Sequence, residues 1–146
     1  MMTKNRPARA GKVKATARRL RVLIVDDSDL QLQFEQMLLA REDFDCLMAR
    51  NGAEAIASAR AHRPDLILLD IEMPVMNGLD AVLQIRDDAR TAGIPIIMVT
   101  SRSSAEYMEK AFIGGCNDYV LKPIHAAELL AKIRAVTGFD SRTATS

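Results

Sequence analysis

Only two cysteines occur in the sequence, Cys46 and Cys116, far apart and with neither a CxxC pair nor a metal-ligand spacing. That scarcity argues against a disulfide scaffold or a thiolate metal centre, and both read as ordinary small side chains of a reducing compartment. Long hydrophobic runs are missing as well, since none approaches the roughly 18 residues that cross a bilayer. The N-terminus is basic but has no apolar stretch of about 7–15 residues behind it, so no secretory signal is expected. What remains is 146 residues, 49% hydrophobic and 27% charged. That is enough for one globular domain with a full core, and it is expected in the cytoplasm.

Charge of one sign is missing from the start of the chain. Residues 1–21 hold Lys4, Arg6, Arg9, Lys12, Lys14, Arg18, Arg19 and Arg21, with no acid and no aromatic ring to stack on a base. The whole chain has 20 basic and 19 acidic residues, so residues 22–146 hold 12 and 19, a net of −7. The sequence therefore divides into a basic extension (1–20), an acidic domain (21–138) and a small, polar, flexible end (139–146). A basic extension suits nucleic acid or anionic lipid and also imitates an Arg-rich transit segment; the plainest reading is a solvated tail.

From Arg21 onward, short apolar runs alternate with helical periodicity. The runs are Val22–Val25, Cys46–Ala49, Leu66–Leu69, Ile94–Val99 and Tyr119–Leu121. Continuous apolar runs of this length, rich in Val and Ile, are the pattern of strands buried on both faces. Between them, Leu30, Phe34, Met37 and Leu38 follow helical spacing, as do Ala126, Leu129, Leu130 and Ile133. Weaker helical stretches cover Ala53–Ala61, Leu79–Asp87 and Ser104–Ile113, the last stopped by Gly114-Gly115. Alternating strands and helices predict a (βα)5 unit, an open parallel sheet with helices on both faces.

Ligands of such sheets bind beyond the carboxyl ends of the strands. The first run ends in Asp26-Asp27, the third in Asp70, the fourth in Thr100-Ser101, and the fifth reaches Lys122-Pro123. Two unit charges about 4 Å apart repel by roughly 4 kcal/mol at an effective dielectric of about 20. Three clustered carboxylates therefore call for protonation or a cation, and a small hard ion such as magnesium suits oxygen ligands. A lysine and a hydroxyl beside that ion suggest phosphoryl transfer, with an aspartate as the nucleophile.

Val25-Asp26-Asp27, the segment Leu68–Gly78 with Asp70-Ile71-Glu72-Met73-Pro74, the Val99-Thr100-Ser101 step and Asp118–Pro123 together resemble the receiver domain of bacterial response regulators. The likeness runs from about Arg21 to Val136, and the chain resembles stand-alone receivers of the chemotaxis-regulator type. It implies a flavodoxin-like doubly wound sheet of strand order 2-1-3-4-5. Asp70 would be the phosphoacceptor. Asp27, Asp70 and the backbone carbonyl of Glu72 would bind Mg2+ directly, and Asp26 through water. Thr100 and Lys122 would hold the phosphoryl oxygens, with Tyr119 as the switch aromatic and a cis bond before Pro123. Glu72 and Arg102 would modulate how readily water attacks the acyl phosphate, their opposite charges pairing over it.

The resemblance implies a histidine kinase or phosphotransfer protein as donor, and an effector met through the fourth helix, fifth strand and fifth helix. No DNA-binding domain and no membrane span are expected, and self-association stays open. A receiver piece of a larger regulator, or an adaptor acting mainly through protein contacts, is the alternative. Enzyme readings fit less well. A flavodoxin needs a phosphate-cradling loop where Asp26-Asp27-Ser28-Asp29 would repel it, and an aspartyl-phosphate phosphatase needs a second Asp where Glu72 stands, on a different strand. His62 and His125 read as surface residues, and Met73 and Met76 as packing around Pro74.

Overall fold

The computed structural model describes residues 19–139, so the basic extension up to residue 18 and the end from residue 140 lie outside the described residues. Five strands and five helices alternate: β1 Arg21–Val25, α1 Asp29–Ala40, β2 Asp45–Ala49, α2 Gly52–His62, β3 Leu66–Leu69, α3 Gly78–Arg86, β4 Ile96–Thr100, α4 Ala105–Gly114, β5 Asp118–Leu121 and α5 Ala126–Thr137. The strands pair in parallel in the order β2-β1-β3-β4-β5. Val25 aligns with Ala49 on one side and Leu69 on the other, which brings the carboxyl ends of β1 and β3 level.

Local chemistry fixes where the helices begin. Ser28, Asn51, Asn77 and Ser104 each accept a hydrogen bond from the amide three residues on, the usual N-cap arrangement. Helix α4 stops at Gly115, whose φ of 120° is open to glycine. Strand β4 starts at Ile96 and not at Ile94, because Pro95 has no amide to donate and the Ile94 amide turns back to Thr91 O at 3.1 Å.

Side chains alternate across the sheet. Leu23, Val25, Ile67, Leu69, Ile96 and Met98 face α2, α3 and α4. Val22, Ile24, Leu66, Leu68, Ile97 and Val99 face α1 and α5, where Leu129 and Ile133 close the layer. Leu20 and Phe139, at the margins of the expected domain, join this second layer, Phe139 meeting Phe44 edge to face at 5.4 Å. Arg86 ties the far end of α3 to its neighbours: its guanidinium donates to Ala92 O, Ile94 O, Gly115 O and Asn117 Oδ1 at 2.7–2.9 Å.

Two sequence expectations need correction. Of the periodic residues Leu30, Phe34, Met37 and Leu38 in α1, the first three face solvent at 79%, 42% and 62% exposure, and only Leu38 packs partly against the second layer. The buried face is Leu32, Glu35 and Leu39. The helix holds two apolar stripes. Its rotation is set by the short link from β1, where the Ser28 amide donates to Asp26 Oδ1 at 2.9 Å. Second, β2 is not buried on both faces: it is one of the sheet's two edges, and Met48 is exposed.

Candidate functional site: an acidic cluster at the carboxyl edge of the sheet

Asp26, Asp27 and Asp70 leave the ends of β1 and β3 and offer oxygen atoms that all lie within 4.8 Å of one another. Asp26 and Asp70 are buried, whereas Asp27 faces solvent. Such a donor set, all carboxylate oxygen and partly open, fits a hard divalent cation that keeps some of its water. Lys122, just past β5, reaches the same point: its Nζ donates to Asp26 Oδ2 at 2.6 Å and to Asp70 Oδ2 at 3.4 Å. Burial alone would lower the Lys122 ammonium's pKa, but Asp26 and Asp70 outweigh this and hold it above its ordinary value.

Asp70 is pinned by its surroundings. Its Oδ1 accepts from the Ile71 amide at 2.8 Å, and the Thr100 hydroxyl hydrogen-bonds the same carboxylate. Even so, burial, opposed by Lys122 and reinforced by Asp26, leaves the Asp70 carboxyl above its usual range. The loop behind it closes tightly, with the Gly78 amide donating to Ile71 O at 2.7 Å and the Gly52 amide to Met76 O at 3.0 Å. Within that loop Val75 has a φ of 71°, the left-handed region that a β-branched residue rarely enters. The Lys122–Pro123 peptide is cis.

The β4–α4 loop forms the outer wall. Thr100 is buried, and its Oγ1 accepts from the Arg102 amide at 3.2 Å. The Arg102 guanidinium forms an ion pair with the Glu72 carboxylate and lies 5.2 Å over the Tyr107 ring. Arg102 Nε is the buried side-chain nitrogen without a hydrogen-bond partner among the described residues. Tyr119 stands inward, buried, and its hydroxyl donates to the Arg102 carbonyl at 2.6 Å. Phe112 of α4 tilts against its ring at 6.4 Å.

The structure thus brings together Asp26, Asp27, Asp70, Thr100 and Lys122, and pairs Glu72 with Arg102 beside them. His62 and His125 are exposed on α2 and at the start of α5. Both thiols are pushed by burial up to about 11, which keeps them protonated near neutral pH. Sequence reasoning missed Glu35, which sits on the inward face of α1 only 2% exposed. Its signal was its place between Leu32 and Leu39 at helical spacing, which the competing periodicity of Leu30, Phe34, Met37 and Leu38 obscured.

Comparison with known proteins agrees with this geometry. The sequence profile described as "Response regulator receiver domain" matches residues 22–134. The chain is 36% identical over 117 residues to the polar-differentiation response regulator DivK of Brucella anthropi, covering 80% of this chain and 95% of that protein. It is 38% identical over 116 residues to the protein PilH of Pseudomonas aeruginosa, covering 80% and 96%. Against the DNA-binding response regulator MtrA of Mycolicibacterium smegmatis, 37% identity covers 80% of this chain but only 50% of that protein. Among solved structures, the chemotaxis protein CheY4 of Vibrio cholerae superimposes with a TM-score of 0.77 at 31% identity, over 82% of this chain and 99% of that one.

Proposed function

We propose that this chain, which belongs to the family of response regulator receiver domains, takes a phosphoryl group onto Asp70 from a phosphohistidine of a partner protein. The carrying observation is the meeting of Asp26, Asp27 and Asp70 within 4.8 Å beside the Lys122 ammonium. A carboxylate oxygen of Asp70 attacks phosphorus. The O–P bond forms as the donor's P–N bond breaks, and the electron pair and a proton end on the leaving imidazole. Magnesium held by Asp27, Asp70 and the Glu72 carbonyl, with Asp26 through water, would supply the charge that offsets the phosphoryl oxygens. Lys122 and the Thr100 hydroxyl hold those oxygens from the protein side.

The switch would follow from the wall of the site. Thr100, drawn to the phosphoryl group, moves the β4–α4 loop whose Arg102 carbonyl holds the Tyr119 hydroxyl at 2.6 Å. An exchange of that ring between inward and outward positions alters the groove of about 370 Å³ lined by Met108, Leu121, His125 and Lys132, where an effector would bind. The Glu72–Arg102 pair lies beside Asp70, where it would shield the acyl phosphate from water; Glu72→Ala with Arg102→Ala is expected to shorten the phosphoprotein's lifetime. The donor protein would rest on α1, whose solvent face from Leu30 to Ala40 carries no charged side chain and starts beside Asp27. We place this exchange in the cytoplasm; no helix among the described residues is long and apolar enough to cross a membrane.

The test is incubation with magnesium and a small phosphodonor, followed by intact mass. Wild type should gain one phosphoryl group and Asp70→Asn none, whereas equal labelling of both overturns the assignment. A second reading, a receiver unit within a longer regulator, is favoured by the MtrA alignment, in which this chain spans half of that protein.

A further inference from the structure

Glu35 is a buried carboxyl that the transfer chemistry leaves unused. It points inward from α1 between Leu32 and Leu39, and all three are at most 2% exposed. The apolar layer there includes Ile24, Leu68, Val99 and Val120. Its hydrogen bond comes from Gln31 Nε2, 2.8 Å from Oε2. Gln31 lies one turn nearer the acidic cluster; its backbone amide donates to Ser28 Oγ, and the Ser28 backbone amide donates to Asp26 Oδ1. Gln31 and Ser28 thus tether both Glu35 and Asp26 to the first turn of α1.

The groups that face Glu35 are few. Asp26 from β1 and Asp70 from β3 repel its ionised form, and Lys122 from the start of the β5–α5 link favours it. Lys122 is engaged with the two aspartates and makes no ion pair with Glu35. Cys46 from β2 is a neutral thiol, and the Lys132 and Glu128 of α5 turn to Asp118 and to each other. Burial, opposed by the Gln31 hydrogen bond and reinforced by Asp26, raises the Glu35 carboxyl to about 7.

The charge count at the cluster makes this position consequential. Three carboxylates and one ammonium leave a net of −2, which a divalent cation brings to zero. We propose that Glu35 is the proton-linked partner of the cation site: it holds a proton while the carboxylates are uncompensated and gives it up when a divalent cation neutralises them. The inference rests on the reading of Asp26, Asp27 and Asp70 as that site, and it makes cation affinity near neutrality depend on pH through a residue that touches no cation.

The full chain is titrated with magnesium chloride by calorimetry at pH 7 in two buffers of different ionisation enthalpy, which yields protons released per cation. Wild type is expected to release up to about half a proton through Glu35. Glu35→Gln should still bind magnesium and lose that release. Between pH 6.5 and 7.5 wild-type affinity should rise roughly two- to threefold and that of the variant much less. A second readout needs no variant: the Glu35 carboxyl carbon, labelled with carbon-13, should titrate near neutrality and shift to lower pH with magnesium. Equal proton release from both proteins, or a Glu35 resonance indifferent to magnesium, overturns the proposal and leaves the cation site standing. Failure of wild type to bind magnesium overturns both.

Discussion

Gly78 stands directly behind Asp70: a β-carbon at residue 78 would lie 2.1 Å from the Asp70 carbonyl oxygen. The obstacle is backbone, so the loop or β3 must move to relieve it. Gly78→Ala is expected to destabilise the domain by about 1–3 kcal/mol and to lower labelling of Asp70 by a small phosphodonor. Gly93→Ala, where a β-carbon meets nothing within 4 Å, is the control and should do neither. Urea melts and intact mass measure the two effects; wild-type behaviour of Gly78→Ala would mean the loop is looser than the structure shows.

Val75 gives a prediction of opposite sign. Its left-handed backbone costs an L residue on the order of 1–2 kcal/mol, more for a branched β-carbon, and its side chain is 84% exposed and packs little in return. Val75→Asn should therefore stabilise by about 1 kcal/mol, and Val75→Gly by somewhat less because glycine also loosens the unfolded chain. Thermal unfolding decides this, and a loss of stability in Val75→Asn would refute it.

Stability should depend on pH in an unusual direction. The folded Glu35 carboxyl sits near 7 against an ordinary 4.5. Protonated Glu35 thus favours the fold fully below about 4.5, and that contribution fades as pH rises through about 7. Asp70, also raised chiefly by burial, acts in the same sense. Asp88, held below its usual range by Arg90 and Arg60, matters only in stronger acid. Without divalent cations, the unfolding free energy should fall between pH 5 and 8 by up to roughly 3 kcal/mol. Glu35→Leu should flatten most of the fall; an unchanged slope in that variant would remove Glu35 from the account.

Donor docking can be separated from chemistry on α1. Phe34→Asp combined with Met37→Asp puts charge on the uncharged face and leaves the inward residues Leu32 and Leu39 untouched. Transfer from a cognate phosphohistidine protein should drop at least tenfold, while labelling by a small phosphodonor stays within about twofold of wild type. That tenfold corresponds to about 1.4 kcal/mol of lost contact. Equal losses in both assays would place the effect in folding and not in docking.

The sequence shows the sheet clearly because buried strands are written as apolar runs, and four of the five runs lead into residues of the candidate site. Asp26, Asp27, Asp70, Thr100 and Lys122 could be read for that reason. The rotation of α1 could not. Leu30, Phe34 and Met37 form as good a helical stripe as Leu32 and Leu39 do, and the choice belongs to the Asp26–Ser28 link and the layer beneath. The strand order implied by the resemblance already put β2 at an edge, but the exposure of its outer face was hidden similarly, since Cys46–Ala49 is as apolar as a central strand. Val75 and Glu35 broke local rules, and such breaks become visible only once the backbone is known.

The order of the strands has a mechanical consequence. The acids rise from β1 and β3, while the ammonium that balances them follows β5, at the sheet's margin. Margins open first in local unfolding. If β5 and α5 detached, like charges at the middle would be left facing one another, so a fluctuation at one end of the sheet is opposed by electrostatics at its centre. The acidic cluster acts as a restoring spring on the outermost strand, and a cation that takes over from Lys122 slackens it.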